Sequence, residues 1–115
     1  MQTKHECTEF IRPVRDVLEI ISGKWKLPIL IALTFGNKRF KELERDIVGI
    51  TPKMLVKELR DLEMNDLVVR REINGNPMAV EYSLTPYGRS LDEVITALRQ
   101  WGVKHRKKIF SKQQV

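Results

Sequence analysis

The chain has 115 residues, enough for one domain with a modest core but not for several. Its net charge of +6, from 21 Lys and Arg against 15 Asp and Glu, favours a polyanionic partner. No apolar run reaches the ~18 residues a membrane helix needs, no signal-peptide core opens the chain, and a lone Cys7 excludes an intrachain disulfide, so the expected setting is a reducing cytoplasm with no membrane partner.

Residues 1–12 are polar and read as an N-terminal arm. Pro13 is placed to start a helix, and Val14, Val17, Leu18 and Ile21 then repeat at helical spacing, giving a helix over 13–22. A second helix runs through Trp25, Ile29, Leu30 and Leu33 to Phe35-Gly36. Its Pro28 falls in about the first turn, where a missing N–H does little damage. The run from Pro28 to Phe35 is nearly all apolar, which makes this helix central and buried on most sides. Asn37 to Phe40 is too short for an independent element and suits a brief strand. It leads into a third helix, Lys41 to Ile47, with Phe40, Leu43 and Ile47 facing in. Val48-Gly49-Ile50 turns the chain.

Thr51 and Pro52 open the next helix. A Thr at the N-cap accepts bonds from orphan N–H groups, and Pro at the first helical position loses nothing. Asn65-Asp66 closes it as a turn or left-handed stop. At about 100° per residue, Leu55, Leu59 and Leu62 fall within about 60° of one another, while Lys53, Lys57 and Arg60 cluster almost opposite. After it the period changes to 2. Leu67 to Ile73 is strand-like, and Val80, Tyr82 and Leu84 alternate with Glu81 and Ser83. Asn74-Gly75-Asn76-Pro77 between them is dense in turn formers. Thr85-Pro86 repeats the cap chemistry and opens a last helix over 86–109, with Leu91, Val94, Ile95, Leu98 and Trp101 along its apolar stripe.

The expected fold is therefore mainly α with a small β-hairpin (α+β) in a single domain. A helix-turn-helix spans 40–66 and a wing spans 67–85. The outer helices at 13–22 and 86–109 carry more apolar surface than a small winged core needs, and are expected to form a homodimer interface. The alternative is that they fold back onto their own core.

Such a fold suits double-stranded DNA. The major groove admits one helix, whose N-terminal residues reach base edges. Thr51, Pro52, Lys53, Met54, Lys57 and Arg60 are the exposed candidates. Arg60 or Lys57 can bond guanine O6 and N7, and Met54 or Thr51 can touch a thymine methyl. Lys38, Arg39 and Lys41 are placed for phosphates. The wing offers Arg70, Arg71, Asn74 and Asn76 at a small polar tip. Successive strand residues point to opposite faces, so only one of the two arginines can face DNA, and Arg71 is preferred. Each of these charges, taken singly, also fits a solvated surface. A winged-helix protein-interaction module with a basic surface is the rival reading. RNA is disfavoured by the scarcity of aromatics in the basic patches. The run Lys104-His105-Arg106-Lys107-Lys108 suits either contact with the DNA backbone from the dimer edge or a solvated helix end that complements the macrodipole.

For catalysis little is on offer. His5 and His105 lie near opposite ends without metal-ligand spacing, and His5-x-Cys7 alone is a weak metal signal. There is no phosphate-cradling Gly loop and no nucleophile elbow. No enzyme activity, metal or cofactor is expected.

Several stretches carry a family resemblance: Ile21-Ser22-Gly23-Lys24-Trp25-Lys26, Lys38 to Leu43, Gly49 to Leu55, Leu59 to Glu63, Val80 to Gly88, and Trp101. In that order the chain resembles the HxlR-type winged helix-turn-helix transcriptional regulators, relatives of the MarR group. The resemblance implies a dimeric bacterial transcription factor on a near-palindromic operator. Family members often carry Cys-Pro shortly before the first helix, where the Cys senses quinones, aldehydes or oxidants. Counting back from Trp25, Arg12 stands at that position before Pro13, and Cys7 lies five residues upstream. The sensing role does not carry over to a matched residue. A redox role stays open for Cys7, and a small-molecule or redox effector is unidentified.

Overall fold

Eight large side chains are shielded almost completely from water: Ile29, Leu30, Leu33, Leu43, Leu55, Leu59, Leu62 and Leu67. They belong to one core, and the elements around it follow from how each presents its share. The computed structural model describes residues 4–113. The elements are α1 (Lys4–Ile21), α2 (Lys26–Thr34), β1 (Lys38–Arg39), α3 (Phe40–Asp46), α4 (Pro52–Met64), β2 (Val68–Ile73), β3 (Asn76–Leu84), α5 (Pro86–Arg89) and α6 (Asp92–Gln113). Helices α3 and α4 with the β2–β3 wing make a winged helix-turn-helix, mostly helical with one small antiparallel sheet.

Helix α1 departs from expectation at its start. It begins at Lys4, so the stretch expected to be an arm is helical from there on; residues 1–3 lie outside the described residues. Pro13 sits inside the helix rather than at its start. It removes the ladder bond to the Glu9 carbonyl, but residues 4–16 are all exposed, so water can satisfy that carbonyl. Gly23, at φ +89°, then turns the chain into α2, where Pro28 is the third residue and costs no helical bond.

The sheet has the order β1-β3-β2, all antiparallel. Asn74 and Gly75 both have positive φ, 53° and 72°, the two-residue turn that matches strand twist. Strand β3 begins at Asn76, earlier than the alternation from Val80 indicates. The register runs regularly to Glu72↔Val80 and then jumps to Ile73↔Asn76, leaving residues 77–79 bulged with nothing opposite. Pro77 lies in that bulge, where a missing N–H removes no ladder bond.

The last helix is broken in two. Thr85 Oγ1 accepts from Gly88 N (2.9 Å) and donates to the Asp66 carbonyl (2.6 Å), capping the single turn α5. Ser90 Oγ donates back to the Tyr87 carbonyl, and α6 starts afresh at Asp92. Gly88 is obligatory here: a Cβ at this position would stand 2.1 Å from the Leu67 carbonyl oxygen. The chain is elongated, at 58 × 43 × 23 Å with a radius of gyration of 17.6 Å, against about 13 Å for a compact domain of this length. Helices α1 and α6 account for it: α1 buries only Ile21, and α6 has no buried residue among its described side chains.

Candidate nucleic-acid interface

Helix α4 is held at both ends by its own sequence. At the start, Thr51 lies in the extended region and its hydroxyl accepts from Met54 N at 3.2 Å, with Pro52 first in the helix. At the end, Asp66 takes the left-handed conformation (φ 59°), its N–H reaches the Glu63 carbonyl, and Leu67 N reaches the Leu62 carbonyl at 3.0 Å. These paired bonds are those of a Schellman stop, with Asp in the place glycine usually takes. Asn65 Nδ2 adds a bond to the Asp61 carbonyl.

Between these caps Leu55, Leu59 and Leu62 face the core, and Lys53, Lys57 and Arg60 lie exposed on the far side. Thr51 and Pro52 are exposed at the helix start, and Met54 is half-buried. Two apolar residues share the outer surface and were not picked out from the sequence: Val56, and Met64 at 84% exposure. Both could have been found by extending the basic stripe, since Met64 lies in line with Lys53, Lys57 and Arg60 at helical spacing.

Two of the three acids of α4, Glu58 and Asp61, have cationic partners. Lys26, the first residue of α2, places Nζ 2.7 Å from Glu58 Oε2 and 3.3 Å from Asp61 Oδ2. Its side chain is only 18% exposed. The hydrogen bond that Lys26 donates to Glu58 chiefly holds the ammonium above the ordinary lysine pKa; desolvation opposes this, and the charges of both carboxylates and the bond to Asp61 add to it. Glu58 Oε1 stands 3.8 Å from Lys57 Nζ.

The remaining candidates lie on other elements. Lys38 in β1 is paired with Asp46 at 2.7 Å, so its charge is already partly answered within the protein. Arg39 and Lys41 are exposed at the start of α3, where Arg39 N donates to Glu42 Oε1. In the wing, Arg70 stands opposite the buried Tyr82, on the same sheet face as Val68 and Leu84. Arg71 is opposite Glu81 on the other face. Both arginines are exposed. Asn74 and Asn76 are exposed at the tip, and Asn76 Oδ1 accepts from Met78 N at 2.9 Å within the bulge. Met78 itself, 89% exposed, was not singled out from the sequence. The structure thus unites Lys53, Lys57 and Arg60 on one face of α4, keeps Thr51, Pro52 and Met54 at the start of that helix, and distributes the other candidates over β1, α3 and the wing.

Cys7 is exposed on α1, and His5 Nε2 contacts Glu9 Oε1 at 3.0 Å one turn along. Among the described residues no group of three or more His, Cys, Asp or Glu side chains could hold a metal ion, and no helix is long and apolar enough to cross a membrane.

Comparison with known proteins agrees with this geometry. The HTH-type transcriptional regulator YtcD of Bacillus subtilis (strain 168) is 44% identical over 97 residues, covering 84% of this chain and 77% of that protein. The HTH-type transcriptional regulator YtfH of Escherichia coli (strain K12) is 40% identical over 89 residues, covering 77% and 71%. Among solved structures, the redox regulator HypR in its reduced form superposes with a TM-score of 0.78 at 38% identity, covering 86% of this chain and 98% of that one. YtcD and YtfH are transcriptional regulators, not enzymes, and the HxlR-like helix-turn-helix family matches residues 20–110. The chain is a member of the HxlR-like helix-turn-helix family of transcriptional regulators.

Proposed function

We propose that the chain is a homodimeric, sequence-specific regulator that works in the cytoplasm and binds a near-palindromic operator through α4 and the wing. The observation that carries this is the outer face of α4, where Lys53, Lys57 and Arg60 stand exposed on a helix capped at both ends. Such a face fits the major groove, with Arg60 or Lys57 on guanine and Met54 or Thr51 on thymine methyls. Because Lys38 is paired with Asp46, Arg39 and Lys41 take the phosphate contacts beside β1. Arg71, on the sheet face away from Leu84, takes those of the wing together with Asn74 and Asn76. The exposed stripe of Phe10, Val14 and Leu18 on α1, with Leu98 and Trp101 on α6, supports pairing of two copies, which would present two half-sites about one helical turn apart.

A salt-titrated gel shift with the DNA upstream of the protein's own reading frame tests this. Affinity is expected to fall steeply with salt as Lys and Arg release counterions. Arg60→Ala and Lys57→Ala are each expected to cost roughly 1–3 kcal/mol on the specific site and little on unrelated duplex. Affinity unchanged by both substitutions would refute α4 as the reader.

A further inference from the structure

The contacts of Lys26 do more than join two helices. Glu58 sits between two ammonium groups: its Oε2 is 2.7 Å from Lys26 and its Oε1 is 3.8 Å from Lys57. Its side chain is 13% exposed, whereas that of Lys57 is 73% exposed. Asp61 follows one turn later and reaches Lys26 at 3.3 Å. These two carboxylates are beside the exposed cations of α4, and a carboxylate there repels phosphates and competes for Lys57. Lys26 approaches both acids from α2, on the protein side of the helix.

We propose that Lys26 is a positioning residue for DNA reading: by holding Glu58 and Asp61 against α2, it keeps these two carboxylates of α4 away from the phosphates and leaves Lys57 and Arg60 to the DNA. The inference rests on α4 being the helix that meets DNA. Lys26 itself touches no base. It acts through the two acids, and its removal leaves a second claimant on Lys57. The arrangement was hidden in the sequence because Lys26 is 32 and 35 residues from its partners.

The experiment is fluorescence anisotropy on the duplex upstream of the protein's own reading frame, at several salt concentrations, with a thermal melt of every variant. Lys26→Met is expected to weaken binding about tenfold at low salt, with the gap to wild type closing as salt screens the bared carboxylates. Lys26→Arg, which keeps the charge, is expected to bind like wild type. Adding Glu58→Gln and Asp61→Asn to Lys26→Met is expected to restore binding to within about twofold, because the charges that repel are gone. Neutralising a remote pair instead, Asp92→Asn with Glu93→Gln, is expected not to restore it.

A Lys26→Met protein that binds as tightly as wild type overturns the proposal, as does a triple variant that stays as weak as Lys26→Met or a rescue by the remote pair. A penalty that does not change with salt also overturns it, since that is the mark of a displaced helix. Should Lys26→Met fail to fold, Glu58→Gln with Asp61→Asn on the native Lys26 decides: binding equal to or tighter than wild type supports the role, and weaker binding overturns it. If wild type binds duplex no better than Lys57→Ala and Arg60→Ala, α4 is not the reader, and the role of Lys26 falls with that reading.

Discussion

At the scale of single residues, the fold depends on places where one atom has nowhere else to go. Gly88 is the sharpest. Its Cα faces the Leu67 carbonyl so closely that a Cβ would stand 2.1 Å away, and that same carbonyl accepts from Thr85 N at 3.1 Å. Gly88→Ala must therefore move backbone that already has a bonding partner. The expected cost is about 2–4 kcal/mol, read as a lower midpoint in chemical denaturation, with near-native stability as the contrary outcome. Nothing local in the sequence announced this: Gly88 falls inside the helix expected over 86–109, and the contact that requires it comes from residue 67. Thr51 is the opposite case. Its hydroxyl bond to Met54 N follows from a Thr-Pro pair before a leucine stripe, and it was legible at once.

At the scale of elements, what could be read was what is local. Helix α4 was legible from end to end because its caps and both its faces lie within one continuous stretch. The start of α1 was not. Pro13 carries a strong signal for a first helical position, but the lost bond falls on an exposed turn, so the helix continues upstream at little expense. The junction of α2 and α4 through Lys26 has no local signature at all, and it makes a prediction about pH. Glu58 and Asp61 raise the Lys26 pKa in the folded chain. A lysine whose folded value lies above its unfolded one adds stability below the unfolded value and loses it as pH climbs through the folded one. The difference in melting temperature between wild type and Lys26→Met should be constant through neutral pH and shrink in the alkaline lysine range. A difference that grows with alkalinity would contradict the pairing.

At the scale of the whole molecule, the two outer helices set the shape. A radius of gyration of 17.6 Å leaves Phe10 at 74% and Trp101 at 67% exposure, which a lone copy of the chain gains nothing by showing to water. The apolar stripes of these helices were visible in the sequence as surplus; in the structure Val14, Leu18, Leu98 and Trp101 lie exposed, while Ile21 is buried and Ile20 and Leu91 pack against the core. If they pair two copies, the chain sediments as a dimer at micromolar concentration. Val14→Glu with Leu18→Glu should then shift it to monomer while leaving the core spectroscopically intact, because neither residue is buried in the single chain. Sedimentation as a monomer in wild type would remove the dimer and, with it, the two-half-site operator.

One junction has a mechanical consequence. The end of α4, the base of the wing and the start of α5 meet within residues 65–68 and 84–88, tied by Leu67 N to the Leu62 carbonyl, Thr85 N to the Leu67 carbonyl and Thr85 Oγ1 to the Asp66 carbonyl. Helix α4 and the wing are thus braced to one frame, like two blades set in a single handle. The chain passes between that frame and the outer helices at Ser22-Gly23, where Gly23 has open space around it, and at Ser90-Leu91. If two copies pair through the outer helices, the distance between the two handles would depend on those joints. A signal that changes the pitch between half-sites would therefore act there, by turning a whole handle and leaving each blade as sharp as before.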